Sequence, residues 1–310
     1  MTAQPTEWII DNTAWIGAAP RLSVLIPFMR DDPTGLLAAL DREQLPVEVV
    51  VLDDGSGDPV LAARVVEAIE AMRLPARFVR LAANEGRSKG RNRLTRHARA
   101  DRFLFIDADM LPDTGHFLAD WLALIDQRDA PAAFGGFSLD QTPRTRINAL
   151  HRAMALKSDC VPAPERSRAP AKHVFTANLM VRRDVFDSVA FDERFTGWGW
   201  EDVEWAIRVA DLWPIVHADI PASHLGLDSA ATLARKYEQS AANFARVVAD
   251  HCAVVETYPS YRVARLLKRV PLRDLWRPLL KAFAVADGLP VPPRAFAMRL
   301  YRAALYAEAV

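Results

Sequence analysis

The sequence predicts an α/β fold, a mostly parallel, doubly wound sheet flanked by helices, and three observations carry that expectation. Apolar strand runs alternate four times with helical runs over short connections, the pattern that right-handed βαβ units produce. The strands, residues 22–27 and 47–52 above all, are almost wholly apolar, as strands covered on both faces tend to be. Three of them end abruptly, at Pro27, at Asp53-Asp54 and at Asp107-Ala108-Asp109, and ligands of such sheets bind at the carboxyl ends of the strands.

In chain order, the strand over 22–27 stops at its proline, and Thr34 is placed to cap a helix carrying Leu36, Leu37 and Leu40. The second strand, 47–52, precedes a helix over 59–72. A third strand spans 77–81, the loop Asn84-Glu85-Gly86 follows, and a basic helix covers 88–100. The fourth strand begins at Phe103. If it stays extended, Asp107 and Asp109 point the same way, roughly 6–7 Å apart at their Cα atoms. A polar strand end followed by a turn at Leu111-Pro112-Asp113 is the plainer reading. Later helices are expected over 203–212, 230–255, 293–309 and, as one or two pieces, 261–283; Trp121, Trp205 and Trp213 read as core.

With 310 residues and 34.5 kDa, the chain can hold one large α/β domain and an appendage. Hydrophobic residues at 51% and charged residues at 25% argue against disorder, and a net charge of zero removes any global case for nucleic-acid binding. Cys160 and Cys252 form no pair motif, which suggests a reducing, cytoplasmic setting and no thiolate metal site. Residues 1–20 lack the basic start and apolar core of a secretory leader, and no apolar run of about 18 residues predicts a membrane span.

No G-x-G-x-x-G follows the first strand and no Walker A loop is present, which argues against a dinucleotide cofactor. Asp53 or Asp54 can accept hydrogen bonds from a base or a ribose, and Gly55 and Gly57 permit a tight turn beside them. Arg87, Lys89, Arg91 and Arg93 open a helix where phosphate oxygens bind well, with Asn92 as a neutral donor. A solvated helix face is the alternative for this cluster and the preferred reading for Arg93 and Arg96. A divalent ion on Asp109, with Asp107 nearby, would complete a diphosphate site.

Together, residues 22–27, 49–58, 84–92 and 105–109 resemble the successive motifs of family-2 glycosyltransferases with the GT-A fold, in order and in spacing. The run 191–204, which includes Gly197-Trp198-Gly199-Trp200-Glu201-Asp202, is similar to the acceptor-side motif of chondroitin-polymerase and β-1,4-galactosyltransferase domains. The resemblance covers about residues 20–228. It implies an N-terminal extension over 1–20, a glycosyltransferase domain over 21–228 with a nucleotide-binding half (21–115) and an acceptor-binding half (116–228), and a C-terminal helical region over 229–310. The implied activity is inverting transfer of a hexose-type sugar from a nucleotide-diphosphate donor, UDP by first guess, to a hydroxyl of a saccharide or glycolipid acceptor.

Carried over residue by residue, the resemblance implies that Asp53 or Asp54 holds the base. Pro27, Asn84, Arg87, Asp107 and Ala108 line the nucleotide sugar, Arg91 lies near the diphosphate, and Gly136 and Asn178 face the hexose. Asp107 and Asp109 form the motif for Mn2+ or Mg2+, and His224 is the favoured third ligand over His217, which reads better as a satisfied strand histidine. Asp202 matches the general base and Glu201 a group that hydrogen-bonds the acceptor, beside the flat faces of Trp198 and Trp200. A helix starting there would favour the ionised carboxylate, although simple N-capping by Asp202 is the plainer alternative.

Residues 140–172 are irregular, basic and proline-rich; a helix is expected over 147–157, and the rest reads equally well as a lid or as an exposed linker. The basic amphipathic stretch over 261–283 suits peripheral contact with the inner face of a membrane, or packing within the protein; the last helix offers a face for a homodimer. Two competing functions are a sugar nucleotidyltransferase and a non-catalytic nucleotide-sugar-binding scaffold. The first calls for a glycine-rich basic loop after the first strand, which Pro27-Phe28-Met29-Arg30 is not. The second has no need of Asp202.

Overall fold

Strands β2 (Leu22–Phe28) and β3 (Val47–Asp53) form the centre of the molecule, a computed structural model that describes residues 7–310. Their side chains divide between the two faces of the sheet. Val24, Ile26, Val49 and Val51 join one apolar cluster, while Leu25, Val50 and Leu52 join a second on the opposite face. That division explains the unbroken apolar runs, since neither face meets water.

The remaining strands are β1 (Glu7–Asp11), β4 (Ala76–Leu81), β5 (Arg102–Ile106), β6 (Met110–Pro112), β7 (Ala132–Phe134), β8 (Phe137–Ser138), β9 (Asn178–Arg182), β10 (Ile215–His217) and β11 (Ala222–His224). Eight of them build the large sheet in the order β1-β4-β3-β2-β5-β9-β7-β10, and β6-β11-β8 form a small one. Strands β4, β3, β2 and β5 run parallel, so their carboxyl ends share one edge. Strand β9 runs antiparallel to β5 with Asn178 opposite Ile106, which brings its first residue to that same edge. Strand β1, within the expected N-terminal extension, pairs antiparallel with β4.

Helices α1 (Thr34–Leu40), α2 (Pro59–Ala71), α3 (Arg87–His97), α4 (Phe117–Arg128), α5 (Ala149–Ser158), α6 (Ala163–Arg166), α7 (Arg183–Ser188) and α8 (Glu201–Ala210) intervene between strands. Trp121 and Trp205 are fully buried, as expected of core residues. Beyond β11 the chain is helical: α9 (Ala230–Val255), α10 (Pro259–Lys268), α11 (Arg273–Val285) and α12 (Val291–Tyr306). Among the described residues no helix is long and apolar enough to cross a membrane.

Local expectations fail in four places. Strand β2 continues one residue past Pro27; its pairing with β5 ends at Leu25, so the proline interrupts no bond on that side. Thr34 is the first helical residue rather than the cap, and Asp32 accepts from its backbone N–H (3.0 Å) and its hydroxyl (2.7 Å). Strand β5 ends at Ile106, and residues 107–110 form a turn in which the Met110 N–H donates to the Asp107 carbonyl at 3.1 Å. Finally, within 140–172 the helix expected over 147–157 is present as α5, but the rest is neither a free loop nor an exposed linker: it carries α6 and is tied down by Arg152, which donates to the carbonyls of Leu139 and Thr142, and by the buried Arg166.

Candidate active site

The carboxyl edge of the parallel strands gathers most of the expected residues. Asp53 is fully buried at the end of β3, where its carboxylate accepts from the Ser56 N–H (2.7 Å) and hydroxyl (2.9 Å) and lies 3.2 Å from Arg80 Nε. Asp54 shapes the next loop instead. It accepts from the Asn84 side-chain amide and the N–H groups of Glu85 and Gly86 at 2.8–3.0 Å, while burial raises its pKa. Gly55 has φ +65°, and a Cβ there would lie 2.3 Å from the Ala83 backbone, so this close approach of two loops requires glycine.

With its loop fixed in this way, α3 begins at Arg87 and buries Arg91 one turn later. The Arg91 guanidinium donates to Asp107 Oδ1 at 2.7 Å, while its buried Nε has no partner among the described residues. Asn92 is not free for phosphate: it exchanges hydrogen bonds with the Phe191 backbone at 2.9 and 3.1 Å. Arg93 is likewise occupied, by Glu85 and Glu7, rather than solvated.

The turn at 107–110 separates the two aspartates that an extended strand would have aligned. Asp107 faces Arg91, whereas Asp109 Oδ2 accepts from His224 Nε2 at 3.1 Å. Register explains the second contact: β11 pairs with β6 so that His224 stands opposite Met110, and the Leu225 N–H continues the ladder to the Asp109 carbonyl at 2.8 Å. Burial disfavours both charged forms, yet the shared hydrogen bond and the opposite charges around each group together outweigh it, lowering the pKa of Asp109 and raising that of His224. His217 is elsewhere. It is a satisfied strand histidine between Arg166 Nε (3.2 Å) and the Pro170 carbonyl (3.1 Å), and burial pushes its pKa down to about 4.

Among the described residues, no three His, Cys, Asp or Glu side chains converge as a ready-made metal site, so the expected Asp107–Asp109–His224 triad does not assemble. The Asp109–His224 pair does suit a divalent ion. Their donor atoms lie 3.1 Å apart, close to the ~3 Å between adjacent ligands of an ion with ~2.1 Å bonds. Glycine at 226 is what lets the Asp109 carboxylate sit there, since a Cβ on Gly226 would lie 1.9 Å from Asp109 Oδ2.

Helix α8 supplies the other carboxylates. Trp200 precedes it in the left-handed region (φ +75°), and Asp202 in the first turn does not cap it. The Asp202 carboxylate accepts instead from the Thr176 N–H (3.2 Å) and hydroxyl (3.0 Å). Burial and then the negative charge of Glu201 push its pKa up to about 7, so the helix N-terminus does not keep it ionised as expected. Glu201 is buried with Oε1 3.5 Å from Arg87, and its Oε2 has no partner among the described residues.

Two expected contact groups have structural occupations. Asn178 donates both amide hydrogens to carbonyls, of Gly136 (2.9 Å) and Ile220 (2.8 Å), leaving only a buried, unpartnered Oδ1. Gly136 (φ +101°) lies under the Arg166 guanidinium, 2.7 Å from where its Cβ would be. Trp200 faces inward, with its Nε1 donating to the Tyr306 hydroxyl at 3.0 Å and its ring 4.9 Å from Phe244; Trp198 packs against Tyr237 at 5.9 Å.

Three residues escaped the sequence reading. Asp31, in the loop after β2, has its pKa raised by burial and then by the charge of Asp109. His151 presents its ring edge-on 6.2 Å from His224, and burial lowers its pKa to about 4. Lys236 pairs with Asp228 at 2.6 Å, next to the N–H that donates to His151. A third acidic strand exit, Asp31-Asp32, was visible in the sequence; the other two are joined to the site only by the fold.

The profile of glycosyl transferase family 2 matches residues 23–189, more than half of the chain. Mannosyltransferase PcManGT from Pyrobaculum calidifontis, solved with GDP-Man and Mn2+, is similar at 17% identity and TM-score 0.57, over 94% of this chain and 88% of that one. S. aureus TarS 1–349 is similar at 16% identity and TM-score 0.51, over 93% and 88%, and its UDP complex at 17% and 0.51, over 93% and 90%. No curated protein matches the sequence. At these identities the solved structures establish the shared fold, and the profile match establishes the family: the chain belongs to glycosyl transferase family 2 and is a glycosyltransferase with the GT-A fold.

Proposed function

We propose that the protein transfers a hexose-type sugar, with inversion, from a nucleotide-diphosphate donor to a hydroxyl of a saccharide or glycolipid acceptor, with Asp202 as general base. The observation that carries this reading is Asp202 itself. A carboxylate in the first turn of a helix that caps nothing, held by Thr176 and poised near neutral pH, has the properties of a proton acceptor.

Proton transfer to Asp202 frees the acceptor oxygen to bond to the anomeric carbon as the bond from that carbon to the diphosphate breaks. Glu201 Oε2 can accept from a hydroxyl of the acceptor, and Asn178 Oδ1 from one of the donor sugar; both oxygens are buried and unpartnered among the described residues. Arg91 and Arg87 face the charge that develops on the leaving diphosphate. Asp109 and His224 would hold a divalent cation, Mn2+ or Mg2+, which when bound supplies electrostatic stabilisation of that charge. Solved relatives carry GDP-Man or UDP, and uridine remains the first choice for this chain.

Thermal stabilisation by UDP- and GDP-sugars with manganese present identifies the donor, after which transfer by Asp202→Asn is measured with it. The variant should keep donor stabilisation and lose about 100- to 10,000-fold in kcat. Full transfer by Asp202→Asn would overturn the mechanism.

A further inference from the structure

Helices α10 and α11 present an apolar surface that the protein itself does not cover. Leu275, Leu279 and Phe283 recur every four residues on α11 and are 67%, 69% and 41% exposed, while Ala284 is the only buried residue of that helix. Leu266 near the end of α10 is 63% exposed. Between the helices Leu272, in the left-handed region at φ +57°, projects at 70% exposure. An apolar cleft of about 450 Å³, lined by Leu267, Trp276 and Leu300 among others, opens behind this face.

Charge accompanies the apolar residues. In a chain of zero net charge, residues 259–290 hold seven Lys and Arg against Asp274 and Asp287. Arg262, Arg265, Arg269 and Arg273 pair with no carboxylate among the described residues. Arginines interleaved with exposed leucines fit an environment that takes both at one depth, the headgroup boundary of an anionic bilayer, where apolar side chains enter and guanidinium groups stay among phosphates. A second copy fits poorly, because it would bring the same unpaired arginines face to face.

We propose that α10, α11 and the Leu272 tip form a docking surface for anionic lipid bilayers. This holds independently of the sugar-transfer reading, although α11 also packs through Leu280 on the apolar cluster that receives Trp198, next to the candidate acceptor loop.

Full-length protein is sedimented with phosphatidylcholine vesicles with or without about 30 mol % phosphatidylglycerol, at low salt and at about 0.5 M NaCl. It should bind the anionic vesicles only, and salt should weaken the binding. Leu275→Glu/Leu279→Glu and Arg265→Glu/Arg269→Glu should each weaken partition at least about tenfold. Equal melting temperatures verify the fold, and Leu275→Ser/Leu279→Ser carries the test if the glutamates lower them. Three results would each overturn the proposal: no binding to anionic vesicles, binding insensitive to the leucine changes, or a wild-type dimer that the leucine changes dissociate.

Discussion

Asp202, the proposed general base, combines two properties that pull against each other: that role needs the ionised carboxylate, and its surroundings oppose the charge. With the pKa raised to about 7, the carboxylate is largely protonated at pH 6 and ionised at pH 8. The transfer rate should therefore rise about tenfold per unit below pH 7 and level off above it, and a profile flat between pH 5 and 8 would remove Asp202 from the role. Stability should move the other way. Between the ordinary value of 3.8 and about 7 the folded chain holds a proton that the unfolded chain has released, so stability falls as pH rises through that window. Asp202→Asn should lose this slope and gain on the order of 2 kcal/mol relative to wild type at pH 8, read from melting curves at pH 5 and pH 8. The sequence made the residue visible, in a Glu-Asp pair opening an amphipathic helix, but the sign of its shift depends first on burial, which only the fold supplies, then on the adjacent Glu201, with the arginines of α3 opposing both.

At the scale of elements, the strand ends show what the sequence could and could not reveal. Strands β2, β3 and β4 begin and end within a residue or so of the hydrophobic runs, because a strand covered on both faces leaves little choice of residue. The Asp107–Asp109 turn was hidden, since a D-x-D sequence is equally compatible with an extended end. What decides it is the pairing of β6 with β11, over a hundred residues away. The same pairing separates His224 from His217, a distinction that spacing alone left open. Nor did composition announce that Asn178 and Arg166 are ties: Asn178 spends its donors on backbone carbonyls at the sheet edge, and Arg166 divides its donors between such carbonyls and the His217 ring. Gly226 tests the Asp109–His224 element directly. A methyl at that position would meet the Asp109 carboxylate, so Gly226→Ala should weaken manganese binding, measured by calorimetry, at least about tenfold, with a melting temperature close to wild type. Unchanged manganese affinity would exclude this pair as the cation site.

Across the whole molecule, the candidate acceptor loop is tied to the C-terminal helices, a connection that no local pattern in the sequence discloses. The buried Asn243 of α9 donates to the carbonyls of Thr196 (2.9 Å) and Gly199 (2.8 Å), and the Tyr306 hydroxyl of α12 joins Trp200 Nε1 to Ser240. These bonds fix the two glycine-containing turns immediately before Glu201 and Asp202. The loop is therefore held by residues more than forty positions downstream, in the helical region after residue 228. Asn243→Ala removes both donors and leaves two carbonyls unpaired, at a cost of about 1–3 kcal/mol, or a fall of about 2–4 °C in melting temperature. The larger consequence concerns geometry: if the loop relaxes by even a fraction of an ångström, the base no longer meets the acceptor hydroxyl. We expect kcat to drop at least about tenfold while stabilisation by the donor stays at the wild-type value, because the nucleotide half of the site, from Asp53 to Asp109, makes no use of Asn243. Should kcat survive while the melting temperature falls, α9 merely packs against the loop; should donor binding fall with kcat, the two halves of the crevice are more tightly joined than their separate anchoring implies.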